Sequence, residues 1–359
     1  MKTGHEIHLK DSREMSEVPD RTADLVVTSP PYPMIEMWDP LFVRQDRNIE
    51  DAIKKGDGFG AFELMHRLLD PVWDRVARIL RPGGFACINI GDATRTIGGR
   101  FSLYSNHARI VSSFVKAGLV PLPIILWRKQ TNAPNKFMGS GMLPAGAYVT
   151  LEHEYILIFR KGDKREFSAP ELRERRRESA IFWEERNTWF SDVWFDLKGE
   201  RQIVKDAERK RSGAFPFELA YRLINMYSVK GDLVVDPFMG AGTTLLAAMA
   251  AARNSMGFEL EPGFAEITAA KTESLVPFAG KYIDARLRRH LDFVEQRLKQ
   301  GKPLKHTNLH YNFPVVTSQE TGLVLSRPLS VSGSSKHGFY VEYSSDPCVH
   351  AESQLSLFD

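Results

Sequence analysis

"DLVVDPFMGAGTTLLAAMAAARNSMGFELEP", residues 232–262, decides the fold. Leu233–Val235 is a short apolar, β-branched run of the kind that forms a buried strand. Gly240-Ala241-Gly242 follows almost at once, an alanine-rich helix begins at about Thr243, and a second strand ends at Glu259. Strand, glycine turn, helix and strand make a βαβ unit, so the sheet is parallel and the class is α/β. The glycines let the chain turn sharply and let backbone approach a ligand at the carboxyl end of the strand.

Glu259 comes twenty-three residues after Asp236, close to the roughly 20-residue spacing at which a Rossmann-type acid meets ribose hydroxyls. No Gly-Lys-Ser/Thr follows, which disfavours a phosphate loop, and the incomplete G-x-G-x-x-G weakens a dinucleotide reading. Asp236 beside the glycines suits a ligand carrying an amino group or positive charge. S-adenosylmethionine has both an ammonium and a sulfonium. A tight turn without a ligand is the other reading, and Glu259 weighs against it.

Elsewhere strands and helices alternate. "EIHLKDSREM" gives a strand over Ile7–Leu9, "DLVVTS" one over Asp24–Ser29, and "FACINI" a buried one over Phe85–Ile90. "AFELMHRLLDPVWDRVARIL" has helical spacing and ends at "RPGG"; a second helix is predicted over His107–Ala117. Strands follow in "LPIILW" and over Glu154–Phe159, and "FPFELAYRLINMYS" is an amphipathic helix.

The second strand stops abruptly at Ser29-Pro30-Pro31-Tyr32, because proline has no N–H and a fixed φ. At the carboxyl edge of the sheet these residues offer two acceptors, the Ser29 hydroxyl and the Pro30 carbonyl, and the flat face of Tyr32. That set suits an exocyclic amino group on an aromatic base. Read alone, the segment is explained as well by a rigid surface turn.

"TSPPY" and "DPFMGAGTT" together resemble the motifs of the DNA amino-methyltransferases, which use S-adenosylmethionine to methylate cytosine-N4 or adenine-N6. "RSGAFPFELAYRLI" looks like the family's helix before the cofactor loop, "LEHEYILIF" like a late strand of its catalytic half, and "HLKDSREM" like the segment whose acid, here Asp11, lies near the cofactor adenine. The catalytic motif precedes the cofactor motif, the permuted order of the β class. The resemblance implies a Rossmann-like S-adenosylmethionine-dependent methyltransferase sheet with an inserted target-recognition region and a C-terminal extension. The divisions expected are 1–165 (catalytic half), 166–211 (target recognition), 212–275 (cofactor half), 276–345 (basic extension) and 346–359 (tail). Ser29, Pro30, Pro31 and Tyr32 are then the catalytic set. Asp11, Phe215, Asp236, Pro237, Phe238, Gly240, Gly242, Thr243 and Glu259 are the cofactor set. Serine at the first catalytic position is the form usual in cytosine-N4 enzymes, where adenine-N6 enzymes more often have Asp or Asn. The implied activity is site-specific methylation of duplex DNA by base flipping and direct attack, within a restriction–modification system, with a cognate restriction endonuclease as a candidate partner. An adenine-N6 enzyme and a non-catalytic DNA-binding specificity subunit are the alternatives.

The remaining sequence bounds this reading. Of 359 residues, 43% are hydrophobic and 26% charged, and no apolar run is long enough for a membrane span or a signal peptide. Cys87 and Cys348 are the only cysteines, too few for a disulfide framework or a zinc site, which fits a reducing cytoplasm. Cys87 reads as a core residue. Net charge is only +3, so a nucleic-acid surface has to be local. The charged stretch 33–60 reads as a mobile loop over DNA or cofactor. "ELRERRRES" is either part of the recognition region or a solvated helix. Lys281–Lys305 carries eight Lys or Arg against Asp284, Asp292 and Glu295, and serves either phosphate contact or simple solvation. His290 and His306 read as surface histidines, and no metal-ligand cluster is visible. Gln354-Leu355-Ser356-Leu357-Phe358 resembles the peptide by which bacterial replication and repair proteins dock on the sliding clamp; packing on its own domain is the alternative.

Overall fold

The computed structural model describes residues 1–129, 138–198 and 215–346. Cys348, the clamp-like segment 354–358 and the second part of the recognition region, 199–211, lie outside the described residues. Among the described residues an eleven-stranded sheet runs through the fold. Its strands in chain order are β1 (Lys2–Leu9), β2 (Ala23–Thr28), β3 (Leu80–Ile90), β4 (Leu119–Pro121), β5 (Ile125–Arg128), β6 (His153–Lys161), β7 (Val193–Trp194), β8 (Leu233–Asp236), β9 (Asn254–Glu259), β10 (Pro328–Ser334) and β11 (Gly338–Tyr343).

The central strands β3-β2-β8-β9-β1 are parallel, in that spatial order. Antiparallel pairs flank them, β6 beside β3 and β11 beside β1. β2 is buried along its whole length, as a central strand covered on both faces must be. In register, Val26 sits between Ala86 of β3 and Val235 of β8.

Helices cover both faces. On one, Met65, Leu69, Trp73 and Val76 of α3 (Gly58–Ile79) and Ile110 and Phe114 of α4 (Asn106–Lys116) pack on Val26, Ala86 and Ile88. On the other, Leu219 and Leu223 of α7 (Phe217–Tyr227), Ala247 and Ala248 of α8 (Thr243–Ala250), and Leu275 and Ala279 of α10 (Leu275–Lys299) cover Leu25, Val27 and Val234. A smaller core joins Ile283 and Leu287 of α10 to Tyr311, Phe313, Leu323 and Leu325. Cys87 is fully buried, as expected. Among the described residues no helix is long and apolar enough to cross a membrane.

Several sequence expectations are corrected. The helix ends at Ile79, just before Arg81-Pro82-Gly83-Gly84 as expected, but the strand begins earlier than Phe85: β3 takes in these four residues, with a register shift there and Gly83 at φ +79. The stretch read as a loop over 33–60 holds a 3-10 turn, Glu36–Trp38, and helices α1 (Asp39–Gln45) and α2 (Asn48–Lys54). His290 is not a surface residue: it is fully buried, stacked on Phe182 at 4.1 Å, and bonded through Nδ1 to Glu184 at 2.8 Å. His306 is half-buried. Arg286 in the basic helix is also buried, bidentate on Glu185 at 2.7 and 2.6 Å, so it belongs to the interior rather than to phosphates.

The described part of the expected recognition region divides spatially. "ELRERRRES" forms most of α5 (Pro170–Glu178), none of whose residues is buried. It docks at the amino-terminal edge of the sheet, where Ser179 Oγ accepts from the Lys230 amide just ahead of β8. α6 (Trp183–Trp189) and β7 instead plug Trp189, Trp194 and Leu197 into the core. Since β7 is parallel to β5, the chain leaves it at the carboxyl edge, next to the site described below.

Candidate cofactor cavity and target-base site

The carboxyl ends of β1, β2, β8 and β9 open onto one cavity of about 580 Å³. Crevices at the carboxyl ends of parallel strands are where α/β sheets bind ligands. Asp11, Ser29, Pro30, Pro31, Phe215, Asp236, Pro237, Phe238, Gly240, Thr243 and Glu259 all line it. Tyr32 and Gly242 do not. Gly242 takes φ +75, and a Cβ there would collide with the Thr268 side chain. Its role is to let α9 (Gly263–Glu273) close on the turn. Gly240 also takes a positive φ, +51, but faces open space.

Asp236 ends β8 with a side chain 2% exposed. Its Oδ1 accepts from Thr28 Oγ1 at 2.5 Å and from the Phe238 amide at 3.0 Å, which ties the ends of β2 and β8 together. Burial nevertheless pushes its carboxyl up to about 6 from the ordinary 3.8. An acid in that state gains from a cationic partner. Glu259 is anchored differently: Oε2 accepts from the Gly240 amide at 2.8 Å, and Oε1 accepts from Leu260 and Glu261 at 2.8 and 2.9 Å. Of a carboxylate's roughly four acceptor positions, the turn uses three, leaving one for a ligand hydroxyl. Asp11, beyond β1, is held by the Arg13 amide at 2.9 Å and by the Arg13 guanidinium. These bonds hold its carboxyl below its usual range despite partial burial.

The far wall comes from the segment read as a loop. Met37, Trp38 and Leu41 face the cavity, and Arg44 reaches across to Glu261 at 3.1 Å. Asp236 thus sits among apolar groups at one end, and acids with spare acceptors sit at the other. This set of acceptors and apolar groups fits the ammonium, sulfonium and ribose of S-adenosylmethionine. Among the described residues no cluster of His, Cys, Asp or Glu is placed to hold a metal.

Next to the cavity, the Tyr32 hydroxyl is held by Ser29 and by residues the sequence reading missed. It receives a bond from Ser29 Oγ at 3.1 Å and from Asn89 Nδ2 at 2.8 Å, and donates to Glu154 Oε2 at 2.9 Å. Lys129 bonds the other oxygen of Glu154. Burial and the adjoining Glu154 carboxylate push the Tyr32 hydroxyl well above its usual value, so it stays protonated. Asn106 fixes the turn from beneath, donating to the Pro33 carbonyl at 3.0 Å and the Gly91 carbonyl at 2.9 Å. An asparagine within the apolar "FACINI" was the available signal for Asn89; Glu154 and Lys129 carried none.

Comparison with known proteins shows the family. A family model described as DNA methylase, of the N6/N4 type, matches residues 23–270. The Type II methyltransferase M.MthZI of Methanothermobacter thermautotrophicus is 48% identical over 360 residues, covering 99% of this chain and all of that protein. The Type II methyltransferase M.MjaI of Methanocaldococcus jannaschii is 49% identical over 280 residues, 75% of this chain and 91% of its own length. Among solved structures, a putative DNA modification methylase of Thermus thermophilus, complexed with S-adenosyl-L-methionine, superposes with a TM-score of 0.60 at 32% identity. That match covers 76% of this chain and 95% of the other. The chain is therefore a member of the N6/N4 family of DNA methylases, whose methyl donor is S-adenosylmethionine.

Proposed function

We propose that this chain is the methyltransferase of a Type II restriction–modification system and that it methylates the N4 amino group of cytosine in duplex DNA. The observation that carries the reading is the junction of β2 and β8. There Ser29-Pro30-Pro31 and Asp236 share one cavity wall, joined by the Thr28–Asp236 bond. Amino-group acceptors on one strand end thus adjoin the cation-binding acid on the next. The likeness to two Type II methyltransferases supports the restriction–modification setting and a cognate endonuclease.

Bound S-adenosylmethionine supplies an electrophilic methyl group on sulfur. Asp236 would hold its ammonium, the remaining acceptor of Glu259 a ribose hydroxyl, and Asp11 the adenine end, with Phe238 and Trp38 excluding water. The target base has to leave the duplex, because its amino group is otherwise out of reach. Ser29 and the Pro30 carbonyl then orient the amino nitrogen, and the fixed prolines preserve that geometry without reorganisation. Tyr32, pinned through its hydroxyl, offers a rigid ring for stacking. No covalent enzyme intermediate is required. Burial raises the Cys87 thiol far above its usual value, which leaves it inert.

The test is to incubate unmethylated genomic DNA with protein and cofactor and to map modified positions by single-molecule sequencing. The proposal expects one short sequence, modified at a cytosine. Modification at adenine favours the N6 alternative, and cofactor binding without modification favours a silent specificity subunit. For the tail, we propose from sequence alone that Gln354–Phe358 docks on a sliding clamp. Clamp capture unchanged by deleting 354–358 ends that idea.

A further inference from the structure

We propose that Glu154 is the destination of the proton that the target amino group loses, reached through Ser29 and Tyr32. The inference rests on the reading above that Ser29 faces the amino nitrogen. The hydrogen bonds form one directed chain. Ser29 Oγ donates to Tyr32 Oη at 3.1 Å, and Tyr32 donates to Glu154 Oε2 at 2.9 Å. Asn89, only 1% exposed, spends both amide hydrogens on holding it, at 2.8 Å to Tyr32 Oη and 2.7 Å to Glu154 Oε2. Backbone closes the arrangement from the side. A Cβ on Gly91 would lie 3.1 Å from Tyr32 Cε2 and 3.3 Å from Glu154 Cγ. At the outer end Lys129 bonds Glu154 Oε1, and its side chain is 38% exposed, against 13% for Glu154. The chain runs from the cavity wall to water.

The chemistry needs such an exit. As the nitrogen–carbon bond forms and the carbon–sulfur bond breaks, sulfur leaves as a neutral thioether and the positive charge passes to the amino nitrogen. Ser29 Oγ takes the surplus N–H proton while its own hydrogen moves to Tyr32 Oη. Tyr32 in turn passes its hydrogen to Glu154 Oε2. The methylated amine ends neutral, both hydroxyls are restored, and Glu154 is left as a carboxylic acid that gives its proton to water beside Lys129. Glu154 acts through other groups, so it is a positioning residue and not one that touches the base.

The test is Glu154→Gln in the full chain. Glutamine still offers an oxygen to the Tyr32 hydroxyl but cannot accept a proton, so it separates a proton sink from a mere anchor. Cofactor affinity by calorimetry and DNA affinity by fluorescence anisotropy are expected to stay within about threefold of the wild type. The single-turnover methylation rate is expected to fall on the order of 10²-fold, the low end of what positioned proton transfer contributes. Glu154→Asp, which keeps a carboxylate to accept the proton, is expected to recover most of the rate that the glutamine variant loses. Among the described residues, the charged or titratable groups bonded to Glu154 are Lys129 and Tyr32. The His107–Asp92 pair lies against the neighbouring Tyr155. A glutamine variant within threefold of the wild-type rate, or an aspartate variant no faster than the glutamine one, overturns the relay. Should the glutamine variant fail to bind cofactor, Lys129→Met decides. Removing the ammonium takes away the group beside which the carboxylate gives up its proton, so the single-turnover rate is expected to fall, and an unchanged rate overturns the proposal. Absence of methyl transfer by the wild-type protein overturns the reading of the site itself, which the variant results alone do not.

Discussion

Replacing Asp236 by asparagine is expected to move stability and ligand affinity in opposite directions. The carboxyl is 2% exposed, and burial raises it from 3.8 to about 6. A carboxyl raised in the folded state binds its proton more tightly there than in the unfolded chain. Its contribution to stability is therefore full below pH 3.8 and is lost as pH rises through about 6. The shift, about 6 minus 3.8, is about two units, and at about 1.4 kcal/mol per unit the ionised group costs about 3 kcal/mol above pH 6. Asparagine keeps an oxygen for Thr28 and the Phe238 amide and carries no charge. At pH 8 the ligand-free variant should therefore be more stable than wild type by up to about 3 kcal/mol in calorimetry or urea denaturation. At pH 5 that gap should narrow to roughly half. Affinity for S-adenosylmethionine should fall on the order of 100-fold, about 3 kcal/mol, because a desolvated ammonium loses its partner. A variant less stable than wild type at pH 8, or one that binds the cofactor equally well, would refute the reasoning.

Further outcomes follow from the same geometry. Gly242→Ala forces a left-handed φ on alanine and drives its Cβ against Thr268, so the urea midpoint should drop by the equivalent of about 2 kcal/mol or more. Unchanged stability would mean that the turn is not so confined. Arg286→Ala leaves the buried Glu185 carboxylate uncompensated and should cost about 3–5 kcal/mol, most of it recovered by also changing Glu185 to leucine. A double variant no better than the single contradicts this account. Arg44→Ala removes an exposed ion pair and should change stability by less than about 1 kcal/mol. Because Arg44 and Glu261 meet across the cavity mouth, cofactor dissociation in stopped flow should nevertheless quicken.

The glycine turn was legible because its constraint is local. Gly242 adopts φ +75, which a side chain would resist, and the apolar run of β8 needs burial on both faces. The two prolines after β2 likewise declare a strand end by covalent geometry alone. Glu154 could not be read in this way. It reaches Tyr32 across 122 positions, brought there because β6 pairs with β3 in a register that sets Tyr155 opposite Ile90. His290 and Arg286 looked like surface residues because each sits in a charged run. Their burial follows from Phe182 and Glu185, more than a hundred positions earlier, folding back onto α10. Trp189 and Trp194 show the converse: they stand among charged residues in the sequence, yet both rings complete the core beside β5. α1 and α2 have seven residues each, too short for periodicity to separate them from a loop.

The most direct measurement is of the product: methyl transfer from S-adenosylmethionine to unmethylated duplex DNA, digestion to nucleosides, and mass spectrometry. The account predicts N4-methylcytosine, formed by the wild type and lost in Ser29→Ala. N6-methyladenine instead, or N4-methylcytosine undiminished without the Ser29 hydroxyl, would contradict it.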